Sequence, residues 1–114
     1  NNMGFELNGI TYETDEDGYL IDLTQWSKEV AEFLAQTEEI PELTEKHWQI
    51  VNFLRDYYHE YQIAPMIKIL IKEIMKLMEL NKKESSKMLY ELYPAGPAKQ
   101  ACKIAGLPKP TGCV

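Results

Sequence analysis

The sequence predicts a mainly helical α+β domain with an N-terminal β-hairpin, about five helices and a flexible C-terminal arm. Three observations favour this class. The 114 residues fit one domain, and 45% of them are hydrophobic and 26% charged, as in ordinary globular proteins. An Asn-Gly pair near the start is typical of a hairpin, whereas most of the remaining apolar residues recur at helical spacing. This composition excludes a wholly disordered or fibrous chain, and two cysteines are too few for a disulfide-stapled one.

The first predicted element is a β-hairpin within residues 5–21. Residues 5–12 alternate apolar and polar side chains around Asn8-Gly9, a pair that accepts positive φ at both central positions of a type I′ turn. A second turn follows at residues 15–18, and residues 19–21 can add a short strand. Because an isolated hairpin is barely stable in water, we expect it to pack against a helix.

Two helices are predicted next. Asp22 or Thr24 can cap the first, and Pro41 interrupts its pattern. Thr44 is a good N-cap for the second. The expected inner faces are Trp26, Val30, Phe33 and Leu34 in the first helix and Trp48, Val51, Leu54 or Arg55, Tyr58, and Tyr61 or Gln62 in the second.

Three further helices complete the predicted domain. Pro65 suits the first turn of the third helix, which is apolar over most of its circumference, so we expect it to be the central helix of the core. Residues 81–84 have the form of a capping box and start the fourth helix, which Pro94 ends. Pro97 opens the last helix, and Gly106 can terminate it in a left-handed conformation.

The domain is expected to occupy residues 1–106, and residues 107–114 are expected to form a mobile arm. Pro108 and Pro110 prevent a helix, and the segment is too short and polar to build a core. The arm is stiff at its prolines and flexible at Gly112, next to Cys113 near the terminus.

Cys102 and Cys113 are separated by ten residues. Extended, the chain between them spans about 36–40 Å, and folded back it can bring the Cα atoms within the ~5.5–6 Å of a disulfide. A thiol that collects something elsewhere and returns it to a partner fits this pattern. Three other interpretations compete: a structural disulfide, a metal site (which the spacing disfavours, so no metal is expected), and a merely buried Cys102. Lys99 and Lys103 would favour the Cys102 thiolate, the reactive form.

The net charge of −6 hides an asymmetry. Residues 1–45 carry a net charge of −11 and residues 46–114 a net charge of +5. After Glu91, the last acidic side chain, come Lys99, Lys103 and Lys109. A basic end favours an anionic partner, although uneven solvated charge is the simpler interpretation. The most apolar stretch, residues 63–80, carries five charged side chains and is not a membrane span, so we expect a cytoplasmic protein.

The stretch from Leu92 to Val114, LYPAGPAKQACKIAGLPKPTGCV, closely resembles the C-terminal signature of the DsrC/TusE family. The resemblance extends upstream through Pro65, residues 53–58 and His47-Trp48 to the regions around Gly9 and Gly18, and so covers nearly the whole chain. It implies a small helical domain with a helix-turn-helix-like core and an N-terminal β-hairpin. Tyr93 stands where the family usually has Phe, a change expected to matter little to packing.

The resemblance also implies a function. TusE-like members, which relay sulfur for tRNA thiolation, keep only the penultimate cysteine, so the presence of both cysteines looks like the DsrC type. The chain is then a sulfur-carrier co-substrate, not catalytic alone, of siroheme dissimilatory sulfite reductase. The arm enters a channel of that enzyme, Cys113 accepts partly reduced sulfur as a persulfide, and Cys102 attacks to form a trisulfide. A membrane-associated reductase complex later restores both thiols.

The implied cofactors and partners follow from this role. The chain binds none itself, because siroheme and the iron–sulfur clusters belong to the alpha and beta subunits of the reductase, and the free chain is expected to be a monomer. Lys99, Lys103 and Lys109 either guide the arm to an anionic site or only keep it soluble. Arg55 is a candidate for partner binding, with a buried ion pair as the alternative. Sulfur oxidation, a TusE-like relay and a purely structural subunit remain open.

A DNA-binding regulator is the alternative of another class. The second and third helices, joined by a short turn, could form a helix-turn-helix with Lys68, Lys72 and Lys76 as a basic stripe. The third helix has few small polar side chains for reading bases, and a pI of about 4.9 lacks the usual electrostatic footprint. The sequence therefore disfavours a nucleic-acid partner.

Overall fold

Two antiparallel strands and five helices make up residues 3–110, the part of the chain that the computed structural model describes. After a short 3-10 turn at Leu23–Gln25, the helices follow one another to the end of the domain. The strands are β1 (Gly4–Leu7) and β2 (Ile10–Glu13), and the helices are α1 (Lys28–Thr37), α2 (Glu45–Tyr61), α3 (Ile67–Met78), α4 (Lys82–Leu92) and α5 (Pro97–Ile104). The predicted fold class, a mainly helical domain with an N-terminal hairpin, is confirmed.

The hairpin turn forms where the sequence predicts it. Leu7 pairs with Ile10 across a two-residue loop. Asn8 has φ of 53° and Gly9 has φ of 79°, the two positive values that a type I′ turn requires. Beyond the second turn, the expected third strand is reduced to a single bridge between Thr14 and Leu20.

One face of the hairpin packs against α1. The ring of Phe5 stacks on Tyr12 of the neighbouring strand, with centroids 5.0 Å apart, and on Phe33 of α1, at 4.5 Å. These stacked aromatic rings bury apolar surface that two strands alone could not cover. The expectation that the hairpin packs against a helix is therefore confirmed.

The helix boundaries agree with most of the predicted caps. Thr44 caps α2, and Asn81 with Glu84 forms a capping box at the start of α4. The cap predicted for α1 is wrong: Asp22 caps the 3-10 turn, and Ser27 caps α1 by accepting from the Val30 N–H. The 3-10 turn begins directly after Asp22 and includes Thr24, so both candidate caps belong to this extra short element and not to the helix.

The expectation that α3 is the central helix is also wrong. Only Leu70 and Ile74 of α3 are buried, and Leu77 is 44% exposed. The helix has apolar residues around most of its circumference, but it packs mainly against α4 at the edge of the domain. Pro65 lies just before this helix, which begins at Ile67.

The centre of the domain is α5. This short helix contacts α1, α2 and α4, and six of its eight residues are buried: Pro97, Ala98, Gln100, Ala101, Cys102 and Ile104. Its small side chains allow three longer helices to approach its backbone. Because α2 packs mainly on α5, and α3 on α4, the predicted helix-turn-helix pairing of α2 with α3 is not confirmed.

His47 joins the beginning of α2 to the end of α4. Its Nδ1 accepts from the Thr44 backbone N–H at 3.0 Å, which places the proton on Nε2, 2.9 Å from the carbonyl oxygen of Leu92. Burial is the main cause that lowers the pKa of His47 below 6.5. Protonation would put a second donor against the Thr44 N–H, so the fold requires the neutral ring.

We expect the free energy of unfolding to fall as the pH is lowered through 6.5, because the unfolded chain protonates His47 before the folded chain does. Urea unfolding at about pH 7.5 and about pH 5 measures this difference. The His47→Gln variant should lose part of the decrease. The matched variant His59→Gln, on the exposed side of α2, should keep the wild-type decrease; equal pH dependence in the two variants would contradict the prediction.

Candidate functional site

Cys102 lies in the buried interior of the domain, with 1% of its surface exposed. Burial is the main cause that raises the pKa of Tyr19 and of Tyr93, and the charge of a thiolate at Cys102 would raise both further. Both hydroxyls donate to backbone carbonyls, Tyr19 to Lys99 at 3.0 Å and Tyr93 to His47 at 3.1 Å. Both tyrosines therefore stay protonated. Tyr19 holds α5 at Lys99, and Tyr93 joins the end of α4 to the beginning of α2.

The last helix ends in a turn that reverses the chain immediately after the cysteine. The Leu107 N–H donates to the Cys102 carbonyl at 3.0 Å, and the Gly106 N–H donates to the Lys103 carbonyl at 3.0 Å. Gly106 has φ of 72°, as predicted, and the pattern of two bonds is a Schellman motif. Residue 107, the first of the predicted arm, is thus hydrogen-bonded to Cys102 itself.

Two side chains from other elements cap the same helix end. The indole Nε1 of Trp26 donates to the Ile104 carbonyl at 2.7 Å, and Nη1 of Arg55 donates to the Ala105 carbonyl at 2.7 Å. The guanidinium of Arg55 lies 3.8 Å above the centre of the Trp26 ring, a cation–π contact. We call Trp26, Arg55 and the residues 104–106 that they contact the α5 clamp.

Arg55 makes two contacts that the sequence did not predict. Within residues 3–110 its guanidinium contacts a ring and a carbonyl rather than forming the buried ion pair considered above. Burial lowers the pKa of Arg55 from its ordinary value, and the nearby charge of Asp56 opposes that shift. A part in binding a partner stays a prediction.

The three candidate lysines lie together. Lys99, Lys103 and Lys109 line one open cavity of about 230 Å³, on α5 and the segment that follows it. Arg55 does not line this cavity, but contributes with Leu107 to another. The structure thus brings the lysines to one place and leaves the arginine at the clamp.

Acidic side chains from the N-terminal part of the chain neutralise two of these lysines. Lys103 forms an ion pair with Glu38 at 2.7 Å, and Lys109 forms one with Asp17 at 2.9 Å. Lys99 is exposed. The charge asymmetry of the sequence is therefore in part internal, because acidic N-terminal residues face basic C-terminal ones. The expectation that Lys99 and Lys103 favour the Cys102 thiolate stays a prediction.

The first half of the predicted arm lies against the domain. Leu107 is 3% exposed and belongs to the hydrophobic core, and Pro110 is also buried. The boundary proposed after residue 106 therefore does not coincide with the edge of the core, and the mobility of residues 107–114 stays a prediction. Cys113, the other predicted site residue, lies outside the described residues.

Sequence reasoning missed three parts of this site. From the sequence, Trp26 is expected only on the apolar face of a helix and Asp17 only in a turn, and nothing indicates a role for Glu38. The excess of acids before residue 45 and of lysines after residue 91 was a signal for Asp17 and Glu38, since opposite charges in one small domain tend to pair. No comparable signal marks Trp26, because its indole N–H meets a carbonyl 78 residues away.

None of the helices within residues 3–110 is both long and apolar enough to cross a membrane. The same residues contain no group of three or more His, Cys, Asp or Glu side chains arranged to hold a metal ion.

Comparison with known proteins gives a consistent picture. The model of the family described as "DsrC like protein" matches residues 6–114. A sulfurtransferase TusE homolog from Haemophilus influenzae is 47% identical over 108 residues, which are 95% of this chain and 97% of the relative. The gamma subunit of dissimilatory-type sulfite reductase from Nitratidesulfovibrio vulgaris is 46% identical over 107 residues, 93% of each chain. The NMR structure of Allochromatium vinosum DsrC superposes with a TM-score of 0.85 at 51% identity, covering 99% of both chains.

The fold and site define a small helical domain whose buried last helix carries a cysteine close to the C-terminal segment. The chain belongs to the DsrC-like family, as the resemblance of its C-terminal signature implied. The named relatives are proteins of sulfur transfer and sulfur metabolism.

The Asp17–Lys109 ion pair should be visible in the titration of Asp17. A hydrogen bond and the charge of Lys109 are the main causes that lower the pKa of Asp17 below 3.8. In the Lys109→Met variant we expect the Asp17 midpoint, measured by NMR of the carboxyl carbon, to rise towards 3.8. Asp22, whose pKa is lowered by hydrogen bonds from Thr24, is the internal control and should not move. An Asp17 midpoint that is the same in both proteins would contradict the contact.

The pKa shifts of Asp17 and Lys109 define the pH range over which this ion pair forms. Because the pKa of Asp17 is lowered from 3.8 and that of Lys109 is raised from 10.5, the pair persists through neutral pH. It is lost only as the pH falls through the folded-state value of Asp17 or rises through that of Lys109.

The close contact of Gly106 with Trp26 should make Gly106→Ala more damaging than another substitution of a positive-φ glycine. A Cβ at Gly106 would overlap the Trp26 side chain, whereas a Cβ at Gly9 would meet nothing within 4 Å. Urea unfolding should show a loss of about 1 kcal/mol for Gly9→Ala from backbone strain. Gly106→Ala should lose about 1–3 kcal/mol more from overpacking. Equal losses would show that Trp26 does not restrict this position.

Proposed function

We propose that this protein is a sulfur-carrier co-substrate of a siroheme dissimilatory sulfite reductase. Cys113 accepts partly reduced sulfur that is still at the S(II) level, releasing water and forming a persulfide whose outer sulfur carries a hydroxyl group (Cys113–S–S–OH). The Cys102 thiol then attacks that outer sulfur and expels the hydroxyl as a second water, which closes the trisulfide. Forming the trisulfide removes one electron from each thiol sulfur, so the two cysteines together supply two electrons to the transferred sulfur atom. The chain acts as a carrier whose partner contributes the siroheme and iron–sulfur clusters, and it is not catalytic alone.

The observation that carries this proposal is the hydrogen bond between the Leu107 N–H and the Cys102 carbonyl, at 3.0 Å. It ties the beginning of the segment that ends in Cys113 to the residue that carries the other thiol. A carrier needs one thiol that reaches a partner and one that waits for its return. Cys102 is suited to be the second thiol, because its burial protects it from reaction with oxidants and thiols in solution.

Family membership supports the same proposal. The Nitratidesulfovibrio relative is named as the gamma subunit of a dissimilatory-type sulfite reductase, which favours an association of this chain with that enzyme. We further propose that the chain acts in the cytoplasm as a monomer when not bound to its partner. A membrane-associated reductase complex would return the trisulfide to two thiols, and nucleic acid is not a proposed partner.

The lysines contribute through their arrangement at one cavity. Lys109 is held by Asp17 while residues 107–110 lie on the domain, and extension of the arm would release its charge towards an anionic site. Lys99 is exposed beside it. Lys103 is largely buried against Glu38, and we assign it mainly to holding α5.

A TusE-like sulfur relay is the second candidate, favoured by the relative from Haemophilus influenzae that is named a TusE homolog and is as similar as the gamma subunit. The two functions differ in their use of Cys102. A relay passes a persulfide onward from Cys113 alone, whereas the reductase co-substrate needs the second thiol to close the trisulfide.

Intact-mass measurement after incubation with the reductase and sulfite tests the proposal. The wild-type protein should gain one sulfur atom with both thiols consumed. Cys113→Ala should gain none, with an unchanged melting temperature, and Cys102→Ala should load sulfur without forming the internal bridge. Normal sulfite reduction with both variants would instead indicate a structural subunit. Loading only from a persulfide donor, with no dependence on Cys102, would indicate the relay.

A further inference from the structure

We propose that Trp26 and Arg55 are positioning residues that aim the C-terminal segment back towards Cys102. The inference rests on the proposed function, because it concerns the step in which the second thiol meets the first. Neither side chain has to touch sulfur. They act through the backbone at residues 104–106, where the chain changes from helix to the segment that carries Cys113.

The clamp holds this point of the chain from two sides. Trp26 precedes α1, and Arg55 lies in the middle of α2, so two separate elements each donate one hydrogen bond of 2.7 Å to consecutive carbonyls, those of Ile104 and Ala105. The contact of the guanidinium with the indole ring, at 3.8 Å, links the two donors to each other. Rotation of the helix end would break both hydrogen bonds together.

Gly106 completes the arrangement. Its positive φ of 72° turns the chain, and its lack of a Cβ lets the backbone pass directly against the Trp26 side chain. The turn delivers Leu107 into the core, where its N–H meets the Cys102 carbonyl. The direction in which the chain leaves the helix is therefore set by the surface of Trp26.

This direction matters because the remaining tether is short. From Gly106 to Cys113 there are seven residues, which span at most about 23–25 Å when extended. For so short a tether, the orientation of its fixed end determines how often the far end meets a given point on the domain. Holding two reacting groups in the correct relative position can change the rate of a reaction by orders of magnitude.

Arginine is suited to this position in a way that lysine is not. A planar guanidinium can lie flat on the Trp26 ring and still donate in its own plane to the Ala105 carbonyl. An ammonium group can supply a charge or a donor, but it lacks the flat surface that joins the two contacts. The clamp therefore predicts that Arg55→Lys restores function only in part.

The thiol reagent 5,5′-dithiobis(2-nitrobenzoate) measures the positioning directly. We expect Cys113 to attack the reagent first, forming a mixed disulfide and releasing the first thionitrobenzoate ion. The Cys102 thiolate then attacks the Cys113 sulfur, which forms the Cys102–Cys113 disulfide and expels the second ion. The rate of the second release does not depend on protein concentration and reports how readily the segment returns.

We expect Arg55→Met, which keeps the length of the side chain but removes the donor and the stacking plane, to slow the second release about 10-fold or more. The first release should change by less than about twofold, because Cys113 reacts before the return step. Arg55→Lys should lie between Arg55→Met and wild type. Trp26→Phe should also slow the second release. In the double variant that combines Arg55→Met with Trp26→Phe, the release should slow by less than the product of the two single fold-changes, since both residues act through one clamp.

Ile74→Val is the matched control. It removes one buried methylene in α3, which packs on α4 away from the clamp, and should lower the urea midpoint of unfolding slightly without altering the second release. Slowing by this variant, or an unchanged or faster second release in Arg55→Met, would overturn the positioning role.

Failure of the proposed function would look different. Wild-type protein that releases only one ion when folded, but two in guanidinium chloride, would show that Cys102 does not resolve the bond on Cys113. Cys102→Ala fixes the baseline, because it should release a single ion in both conditions. If the second release occurs in wild type at a rate that the Trp26 and Arg55 variants do not change, only the positioning role is contradicted.

Discussion

Helix α5 lies where α1, α2 and α4 meet, and the other parts of the molecule depend on its burial. Its small side chains let the longer helices approach, and its polar groups are satisfied from outside the helix. The Tyr19 hydroxyl donates a hydrogen bond to a carbonyl in the first turn of α5. Trp26 and Arg55 donate to two carbonyls at the end of this helix. Removing such a partner would leave a polar group buried without a hydrogen bond, which costs more than the bond itself contributes. The fold and the geometry around Cys102 therefore rest on the same contacts.

Charge ties the two halves of the chain together. Two ion pairs, Glu38–Lys103 and Asp17–Lys109, join acidic residues of the N-terminal part of the chain to basic residues of its C-terminal part. The first pair is largely buried and anchors α5, while the second is half-exposed and can exchange with solvent or with another anion. A firm attachment of the helix and a weaker attachment of the segment after it fit a carrier whose end must move while its base stays in place.

Local signals predicted the elements well. The Asn8-Gly9 turn, the caps at Thr44 and Asn81, and the glycine that ends α5 all depend on backbone conformations that the residues themselves prefer. The prediction of a central α3 failed because composition shows how apolar a helix is and not what covers it. A short helix rich in alanine took the centre instead, since small residues allow closer approach than the larger apolar side chains of α3.

What the sequence alone determined was the family, the order of the secondary-structure elements, and the presence of two cysteines eleven positions apart, because all of these depend on residue identities and short-range spacing. Only the tertiary structure decided that Trp26 and Arg55 cap the helix that carries Cys102, and that Asp17 and Glu38 hold the lysines around it. Those contacts join residues 50 to 92 positions apart. Their formation depends on how the helices pack, and no local pattern in the chain specifies it.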